Sequence, residues 1–306
     1  MRVVFMGTPD FAVPTLQRLI ESKHEVCAVF CQPDKPKGRG HKLQPPPVKT
    51  VALENNIDVY QPITLRNDEA IKLIENLSPD AIIVVAYGKI LPKAVLDIPN
   101  YGCINVHGSI LPKYRGAAPI QRAVLNGEEK TGVTIMHMAE GIDTGDIIQI
   151  KETAIGSDET SGELFDRLKE IGAELLVGTL TLIENGKAQR IPQNEEESTH
   201  AAMLQKSEAE ISWDSSAEDI HNLVRGMNPW PVAYTTFRDE NLKIYMTEPV
   251  EKQGEAGKLF SANGELFVYC GKDALKLLEI HPENKKRMNG KSFLLGRALQ
   301  ENESLG

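Results

Sequence analysis

Three polar residues stand at every second position of the stretch INVHGSILPKYRG, which begins at Ile104. They are Asn105, His107 and Ser109, and an apolar run precedes them. If the strand predicted over GCINV continues into His107, these side chains face one side, because a strand alternates its faces. Pro112 cannot extend a strand ladder, so we expect them near the carboxyl end of a parallel strand, where open α/β sheets bind ligands.

A second polar stretch, GIDTGDII, places Asp143 between two glycines and ahead of another apolar strand. A loop this short can present a carboxylate to a neighbouring strand end, where it would orient His107 and favour the charged imidazole. Asn, His and Asp together suit acyl or formyl transfer, because the amide donates to an oxyanion and the imidazole donates or shuttles a proton. No Ser or Cys stands in a GxSxG-like turn, so direct attack by a substrate amine is expected.

Two other interpretations follow from the same stretches. In the first, Asn105 and Ser109 bond to loop backbone, and His107 is a hydrogen-bonded structural histidine. In the second, Gly7 in FMGTPDF begins a nucleotide-binding turn. Thr, Pro and Asp follow Gly7 where a dinucleotide fingerprint needs further glycines, which disfavours nicotinamide binding.

A parallel sheet is needed to position these residues, and the first half of the chain predicts one. Short β-branched runs, RVVFM, EVCAVFC and AIIVVA, alternate with helix-like FAVPTLQRLIES and DEAIKLIENL. This alternation is typical of a parallel sheet covered by helices. Further strands are expected at GCINV, GVTIMHM and IIQIKET, followed by a long helix from about Ser161 to Ile183.

The composition changes at NGKAQRIPQNEEESTH, whose polar residues, Gly and Pro indicate a linker. Short strand-like pieces follow it, VAYTTF, LKIYMT, LFVYC and LKLLEI, separated by turn-forming residues. Their spacing predicts a small β-barrel or sandwich as a second domain.

The overall composition limits the class of protein. The 306 residues include 41% hydrophobic and 25% charged residues, with a formal net charge of −9. No stretch approaches the ~20 apolar residues of a membrane span, and MRVVFMGTPDF is too interrupted for a signal peptide, so we expect a cytoplasmic protein without membrane association. The four cysteines show no CxxC pairing and no nearby His at metal-ligand spacing, so no metal site is expected.

The stretch HGSILPKYRGAAP closely resembles the signature loop of the folate-dependent formyltransferases. FMGTPDFAVP, QPDKPKGRG, VVAYGKILP, GIDTGDI and NPWP are similar to motifs of that family, in the same order and over nearly the whole chain. The resemblance implies an α/β fold with a Rossmann-like parallel-sheet N-terminal catalytic domain over residues 1–189. A linker over 190–206 and a smaller C-terminal β-barrel tRNA-binding domain over 207–306 would follow.

The implied reaction moves the formyl group of 10-formyltetrahydrofolate to the α-amino group of methionine on initiator tRNA, in a monomer that needs no metal. The catalytic trio would be Asn105, His107 and Asp143. The folate-binding positions would form two segments, Val85, Ala86, Tyr87 and Gly88, then Ser109, Ile110, Leu111 and Pro112. Ile110 stands where the family more often has Leu, a swap of similar volume.

The stretch PDKPKGRGHKLQPPPVK is a local basic feature in which Asp34 is the one acid. Its cations are Lys35, Lys37, Arg39, Lys42 and Lys49. Such a loop could follow a phosphate backbone, although a charge run is also typical of a solvated loop. The resemblance favours contact with the acceptor arm of tRNA, with Arg39 as the position to test.

Two further basic features are less specific. Lys206 matches a basic tRNA-binding position of the family, but Met203 stands where a second lysine is common. A second cluster could extend a basic path or be ordinary surface charge. Its members are Lys285, Lys286, Arg287, Lys291 and Arg297.

Three functions are compatible with these features. The first is formylation of initiator methionyl-tRNA, and the second is the same folate chemistry on another amine, such as a nucleotide sugar or glycinamide ribonucleotide. The third is a noncatalytic tRNA- or nucleotide-binding protein. The basic loop and the predicted barrel favour the first, because a small soluble substrate needs no extended phosphate track.

Overall fold

The computed structural model describes residues 1–37, 42–297, 299–300 and 303–306, and it divides into two compact units. Unit 1 comprises Met1–Gly116, Thr131–Thr153 and Phe165–Ala201. Unit 2 comprises Ala117–Lys130, Ala154–Leu164 and Ala202–Gly306. The domain boundaries predicted at residues 189 and 207 stay predictions, and unit 1 itself includes part of the predicted linker.

The chain alternates strands and helices in its first half and is mostly strands in its second. The helices are α1 (Val13–Glu21), α2 (Pro47–Glu54), α3 (Asp68–Leu77), α4 (Lys93–Leu96), α5 (Pro119–Leu125), α6 (Ser161–Glu184), α7 (Ala217–Gly226) and α8 (Gly290–Gly296). The strands up to residue 201 are β1 (Arg2–Gly7), β2 (Glu25–Phe30), β3 (Lys35–Lys37), β4 (Lys42–Gln44), β5 (Val59–Tyr60), β6 (Ala81–Val85), β7 (Cys103–His107), β8 (Arg115–Gly116), β9 (Lys130–His137), β10 (Ile147–Ala154) and β11 (His200–Ala201). The later strands are β12 (Tyr234–Phe237), β13 (Glu240–Val250), β14 (Leu259–Ala262), β15 (Glu265–Tyr269), β16 (Ala274–Pro282) and β17 (Met288–Asn289).

Unit 1 is built on a seven-stranded sheet in the order β10-β9-β7-β6-β1-β2-β5. The pairs β1/β2, β1/β6, β2/β5 and β6/β7 are parallel, whereas β7/β9 is antiparallel. Every residue of β6 is buried, as its unbroken apolar run predicts. The predicted α/β fold with a mostly parallel sheet is therefore confirmed, and the strands and helices predicted for this half are present.

The two faces of β7 pack differently, and this alternation positions the site. Cys103 belongs to an apolar cluster with residues of β1, β2, β6 and α3. On the opposite face, Val106 lies against α6, where a Cβ added at Gly172 would be 2.8 Å from Val106 Cγ1. Odd-numbered and even-numbered side chains of β7 thus face opposite sides of the sheet.

Unit 2 contains a six-stranded sheet in the order β12-β13-β16-β15-β14, with β17 paired to β16. Its neighbouring strands are antiparallel, and its apolar core includes Phe237, Phe293 and Trp213. Leu259 of β14 donates its backbone N–H to Glu303 O at 2.8 Å, and Gly306 donates to Thr236 O of β12 at 3.1 Å. The last residues therefore connect the two edges of the sheet, and the predicted C-terminal β domain is confirmed.

Helix α7 was not predicted from the sequence, although its start carries a recognisable signal. Ser216 caps it by accepting a hydrogen bond from the backbone of Asp219, three positions on, as a serine N-cap does. Within the described residues, no helix is both long and apolar enough to cross a membrane. The same residues contain no group of three or more His, Cys, Asp or Glu placed to hold a metal ion.

Two glycines of α6 provide a matched test of its packing. Gly178→Ala should raise the free energy of unfolding by about 0.5–1 kcal/mol, because alanine favours a helix interior and the added Cβ meets no atom within 4 Å. Gly172→Ala should lower it by about 1–3 kcal/mol, because its Cβ crowds Val106 and Val133 in the core. Urea unfolding of both variants checks this, and a stabilised Gly172→Ala would contradict the packing of α6 on β7.

Candidate active site

The polar side chains of β7 lie on one face at its carboxyl end. Asn105 and His107 are 8% and 6% exposed. Ile104 and Val106, which alternate with them, are buried on the opposite face of the sheet. β-branched residues at 104 and 106 favour the strand and fill the core beneath α6. Burial of two polar side chains is costly unless they find partners, so their hydrogen bonds define the site.

Asp143 is brought to these side chains by a sharply folded loop between β9 and β10. Its backbone is in the left-handed region with φ of 55°, which Asp tolerates better than most residues. Position 145 must be glycine, because a Cβ there would lie 1.8 Å from the His137 carbonyl oxygen. The Asp143 carboxylate is 3.4 Å from Asn105 Nδ2, 3.6 Å from His107 Nδ1 and 2.9 Å from the Gly116 backbone nitrogen.

His107 has an oxygen acceptor beside each ring nitrogen. Nε2 is 2.9 Å from the Tyr114 carbonyl oxygen, and Nδ1 is 3.6 Å from Asp143 Oδ2. A neutral imidazole has an N–H on one nitrogen only, whereas the imidazolium has one on each. Nε2–H can bond to the Tyr114 carbonyl in either form, whereas the Nδ1 distance is too long to commit an N–H to Asp143.

The SILP segment is fixed by hydroxyl groups rather than by a strand. Ser109 is fully buried, and its hydroxyl donates to the Lys113 carbonyl oxygen at 2.7 Å. The Thr134 hydroxyl donates to Ser109 O at 2.7 Å and accepts from the Leu111 backbone N–H at 3.1 Å. Leu111 is buried, and Ile110 and Pro112 are half-buried. The Ser109 hydroxyl thus stabilises the turn from Ser109 to Lys113.

The segment from Val85 to Gly88 alternates between buried and exposed residues. Val85 and Tyr87 are buried, whereas Ala86 and Gly88 are exposed and have φ of 47° and 80°. The Tyr87 carbonyl accepts from the Thr8 hydroxyl at 3.0 Å and from Gln32 Nε2 at 3.1 Å. The Tyr87 hydroxyl is buried without a hydrogen-bond partner among the described residues, and burial raises its pKa above the ordinary range.

The chain is similar to known formyltransferases along its whole length. The family described as Formyl transferase matches residues 1–180, and Formyl transferase, C-terminal domain, matches residues 203–298. The methionyl-tRNA formyltransferase of Alkaliphilus oremlandii is 49% identical over 309 residues, with 100% of both chains covered. That of Clostridioides difficile is 50% identical over 309 residues, again with 100% of both covered.

The chain belongs to the methionyl-tRNA formyltransferase family. The resemblance of the sequence motifs to the folate-dependent formyltransferases is therefore confirmed. The predicted enzyme class is confirmed with it.

Two solved structures share the fold. WlaRD, a sugar 3N-formyl transferase solved in the presence of dTDP and 5-N-formyl-THF, has a TM-score of 0.67 at 19% identity, over 94% of this chain and 99% of that chain. HypX from Aquifex aeolicus, solved in complex with tetrahydrofolic acid, has a TM-score of 0.62 at 16% identity, over 96% of this chain and 47% of that chain. At such identities the likeness shows the fold alone.

Only some of the basic residues predicted to bind tRNA lie among the described residues. Lys35 is exposed in β3, and the backbones of Lys37 and Lys42 face each other in the β3/β4 pair. Arg39 lies outside the described residues. Lys206 is exposed in a short 3₁₀ turn of unit 2.

Lys49 differs from the free cation that the sequence predicted. Its ammonium lies 2.9 Å from both carboxylate oxygens of Asp34 and 2.9 Å from Gln61 Oε1. Hydrogen bonds from the Gln61 amide and from Lys49 lower the pKa of Asp34. The predicted basic run is therefore shortened, because Asp34, nearby in sequence, also neutralises Lys49.

The basic cluster near the carboxyl end is also partly neutralised. Arg287 stacks on the Tyr245 ring, 3.5 Å from its centroid, and pairs with Glu279 at 3.4 Å. Arg297 pairs with Glu240 at 3.2 Å. The lysines of the cluster are exposed, at positions 285, 286 and 291.

Unit 1 also has a separate cavity of about 810 Å³ that the catalytic trio does not line. Tyr101, Gly102, His137 and Arg190 are among its lining residues. Burial, with a smaller contribution from Arg190, lowers the pKa of His137 to about 4. The cavity therefore contains a neutral imidazole at physiological pH.

His137 should make the stability of the protein depend on pH. Its pKa is about 4 in the folded protein and about 6.5 in the unfolded chain. Between pH 6.5 and pH 4 the unfolded state therefore binds a proton at this imidazole and the folded state does not. The free energy of unfolding should therefore fall as the pH is lowered from 7 to 5, and less so in His137→Asn. Urea unfolding at both pH values checks this; parallel losses in the two proteins would show that His137 titrates normally.

Proposed function

We propose that this chain transfers the formyl group of 10-formyltetrahydrofolate to the α-amino group of methionyl-initiator tRNA by direct attack of the amine. The observation that carries the proposal is the convergence of Asn105, His107 and Asp143 at the carboxyl edge of β7. The family, shown by relatives about half identical along their full length, supports the choice of acceptor.

The trio supplies charge and hydrogen bonds where the reaction develops negative charge. When the amine attacks, a C–N bond forms and the formyl oxygen becomes an oxyanion. Asn105 has a second amide N–H besides the one near Asp143, and it would donate to that oxygen. Charged His107 would stabilise the same oxygen through its uncommitted Nδ1–H, while Asp143 stabilises the imidazolium.

Collapse of the oxyanion breaks the bond to the folate nitrogen. The amine loses one proton and the departing nitrogen gains one, so the reaction is balanced without a metal or a redox step. Ser109 takes no part as a nucleophile, because its hydroxyl donates to the Lys113 carbonyl. This supports direct attack over a covalent enzyme intermediate.

The folate donor is a substrate consumed in each turnover, and two segments have the shape to receive its flat ring. Ala86 and Gly88 expose backbone with almost no side chain, and Tyr87 has a buried hydroxyl without a partner. Val85, Ala86, Tyr87 and Gly88 would wall the ring, together with Ser109, Ile110, Leu111 and Pro112. Thr134 belongs with them, because it bonds to both Ser109 and Leu111.

Initiator tRNA would be held by charge on the β3/β4 pair and its connection. Lys35, Lys37, Arg39 and Lys42 supply the cations, and Lys206 would add one more from unit 2. Lys49 is left out because Asp34 neutralises it. We also infer a cytoplasmic location, since charged initiator tRNA is found where translation takes place, and a monomer, as the family resemblance implies.

His107→Ala should reduce turnover by about 10²-fold or more, as expected when a proton-donating group is removed. The measurement is formyl transfer from 10-formyltetrahydrofolate to charged initiator Met-tRNA, with charged elongator Met-tRNA as a parallel acceptor. The wild-type protein should prefer the initiator, and His281→Ala, which changes a histidine of β16, should keep its activity. Near-normal turnover of His107→Ala would remove this residue from the mechanism, and no transfer to either tRNA by the wild type would overturn the proposed function.

Arg39→Ala should weaken the use of Met-tRNA and leave the KM for the folate donor unchanged. Loss of one phosphate contact should make the slope of log K against log salt shallower by about 1. Arg66→Ala is the matched control, because Arg66 is exposed outside the basic stretch. An equal loss in both variants, or a parallel loss of folate affinity, would count against a separate tRNA-binding loop.

A further inference from the structure

The segment from Arg190 to Ala201 packs against both loops of the active site. At one end, Ile191 exchanges two backbone hydrogen bonds with Ile147, at 2.8 and 2.9 Å, just after the Asp143 loop. At the other end, the Thr199 hydroxyl accepts from the Tyr114 N–H at 2.8 Å, and its carbonyl accepts from the Arg115 N–H at 2.9 Å. The segment therefore joins the Asp143 loop to the residues that follow SILP.

Gln193 makes the central contacts of this segment. Its amide nitrogen donates to the carbonyl oxygen of Asp143 at 2.8 Å and to that of Gly145 at 2.7 Å. Its amide oxygen accepts from Arg115 Nε at 3.0 Å and from Nη2 at 2.8 Å. Because donors face one end and acceptors the other, the orientation of this amide is fixed by its neighbours.

Arg115 is in turn held in place. It is 8% exposed, and Glu195 accepts two hydrogen bonds from its guanidinium, each of 2.8 Å. The glycine that follows it is needed here, since a Cβ at Gly116 would lie 2.9 Å from the Ala201 carbonyl oxygen. Gly116 also donates its N–H to the Asp143 carboxylate at 2.9 Å. The chain of contacts thus runs from Glu195 through Arg115 and Gln193 to the Asp143 loop.

The position of Asp143 is sensitive to this support. Its left-handed backbone costs energy for a residue other than glycine, so the loop needs contacts outside itself to stay in this shape. Its carboxylate is 3.4 Å from Asn105, a long hydrogen bond, and 3.6 Å from His107, within ion-pair distance but beyond hydrogen-bond distance. A small shift of the Asp143 backbone would therefore uncouple the carboxylate from both side chains.

We propose that Gln193, fixed by Arg115, is a positioning residue that holds the Asp143 carboxylate against Asn105 and His107. This inference rests on the proposed function, because it takes the trio as the reacting site. Gln193 acts through the backbone of the Asp143 loop and touches no reacting atom. Its removal should lower kcat and leave the KM of either substrate unchanged, because the donor and tRNA contacts lie on other residues.

Gln193→Glu tests the role of the donating amide nitrogen most directly. It keeps the size of the side chain and the oxygen that faces Arg115, but it replaces the donating nitrogen by an oxygen opposed to two carbonyls. Turnover should fall by about 10- to 100-fold, the loss expected from a misplaced catalytic group. Gln193→Ala, which introduces no repulsion, should change kcat in the same direction. Gln17→Glu on the exposed side of α1 is the matched control and should keep its activity.

A double-mutant cycle separates positioning from general structural support. In an Asp143→Asn background the carboxylate is already gone, so adding Gln193→Glu should cause little further loss of kcat. Thermal unfolding of each variant verifies that it is folded. The proposal is overturned if Gln193→Glu and Gln193→Ala turn over like the wild type, or if Gln193→Glu costs the same factor with and without the carboxylate.

The outcome also distinguishes this inference from the proposed function. If Asp143→Asn loses turnover but both Gln193 variants keep it, only the positioning role fails. If Asp143→Asn itself turns over like the wild type, the trio fails, and the positioning role fails with it.

Discussion

The Asp143 carboxylate joins the loop between β9 and β10 to the end of β7 and to β8. It accepts from the Gly116 N–H at 2.9 Å and lies 3.4 Å from Asn105 Nδ2 and 3.6 Å from His107 Nδ1. The Gly116 N–H and the Asn105 amide donate to the anion and stabilise it. The proposed chemistry depends on this group, because a formyl oxyanion needs a nearby positive charge and a donor fixed in advance.

That contact exists only because several packing constraints agree. β7 must alternate, so that Val106 is packed under α6 while Asn105 and His107 face the carboxylate. The loop must accept a left-handed Asp143, and a glycine at position 145 is required by the His137 carbonyl. A change at any of these points is expected to act on turnover through geometry, even where the changed residue never meets a substrate.

Period-two spacing and flanking glycines, which are local patterns, predicted that Asn105, His107 and Asp143 lie together, whereas their catalytic role stays a prediction. The supporting residues were missed, since nothing near them in sequence indicates their partners: Gln193 is 50 positions from Asp143 and 78 from Arg115. Lys49 was counted among the predicted phosphate-binding cations although Asp34 stands in the same stretch, because the sequence does not show that the two side chains meet. The polar segment after α6 has the composition of a linker, yet residues 190–201 belong to unit 1 and make hydrogen bonds to the loops around the site.

The most direct measurement is a crystal structure of the protein with a stable 10-formyl folate analogue bound. The account predicts that the formyl oxygen lies within about 3 Å of Asn105 Nδ2 and beside His107, the distance at which a donor stabilises an oxyanion. It also predicts that the flat ring lies against Ala86 and Gly88. An analogue that instead occupies the cavity of unit 1 lined by Tyr101 and His137, and makes no contact with the trio, would contradict it.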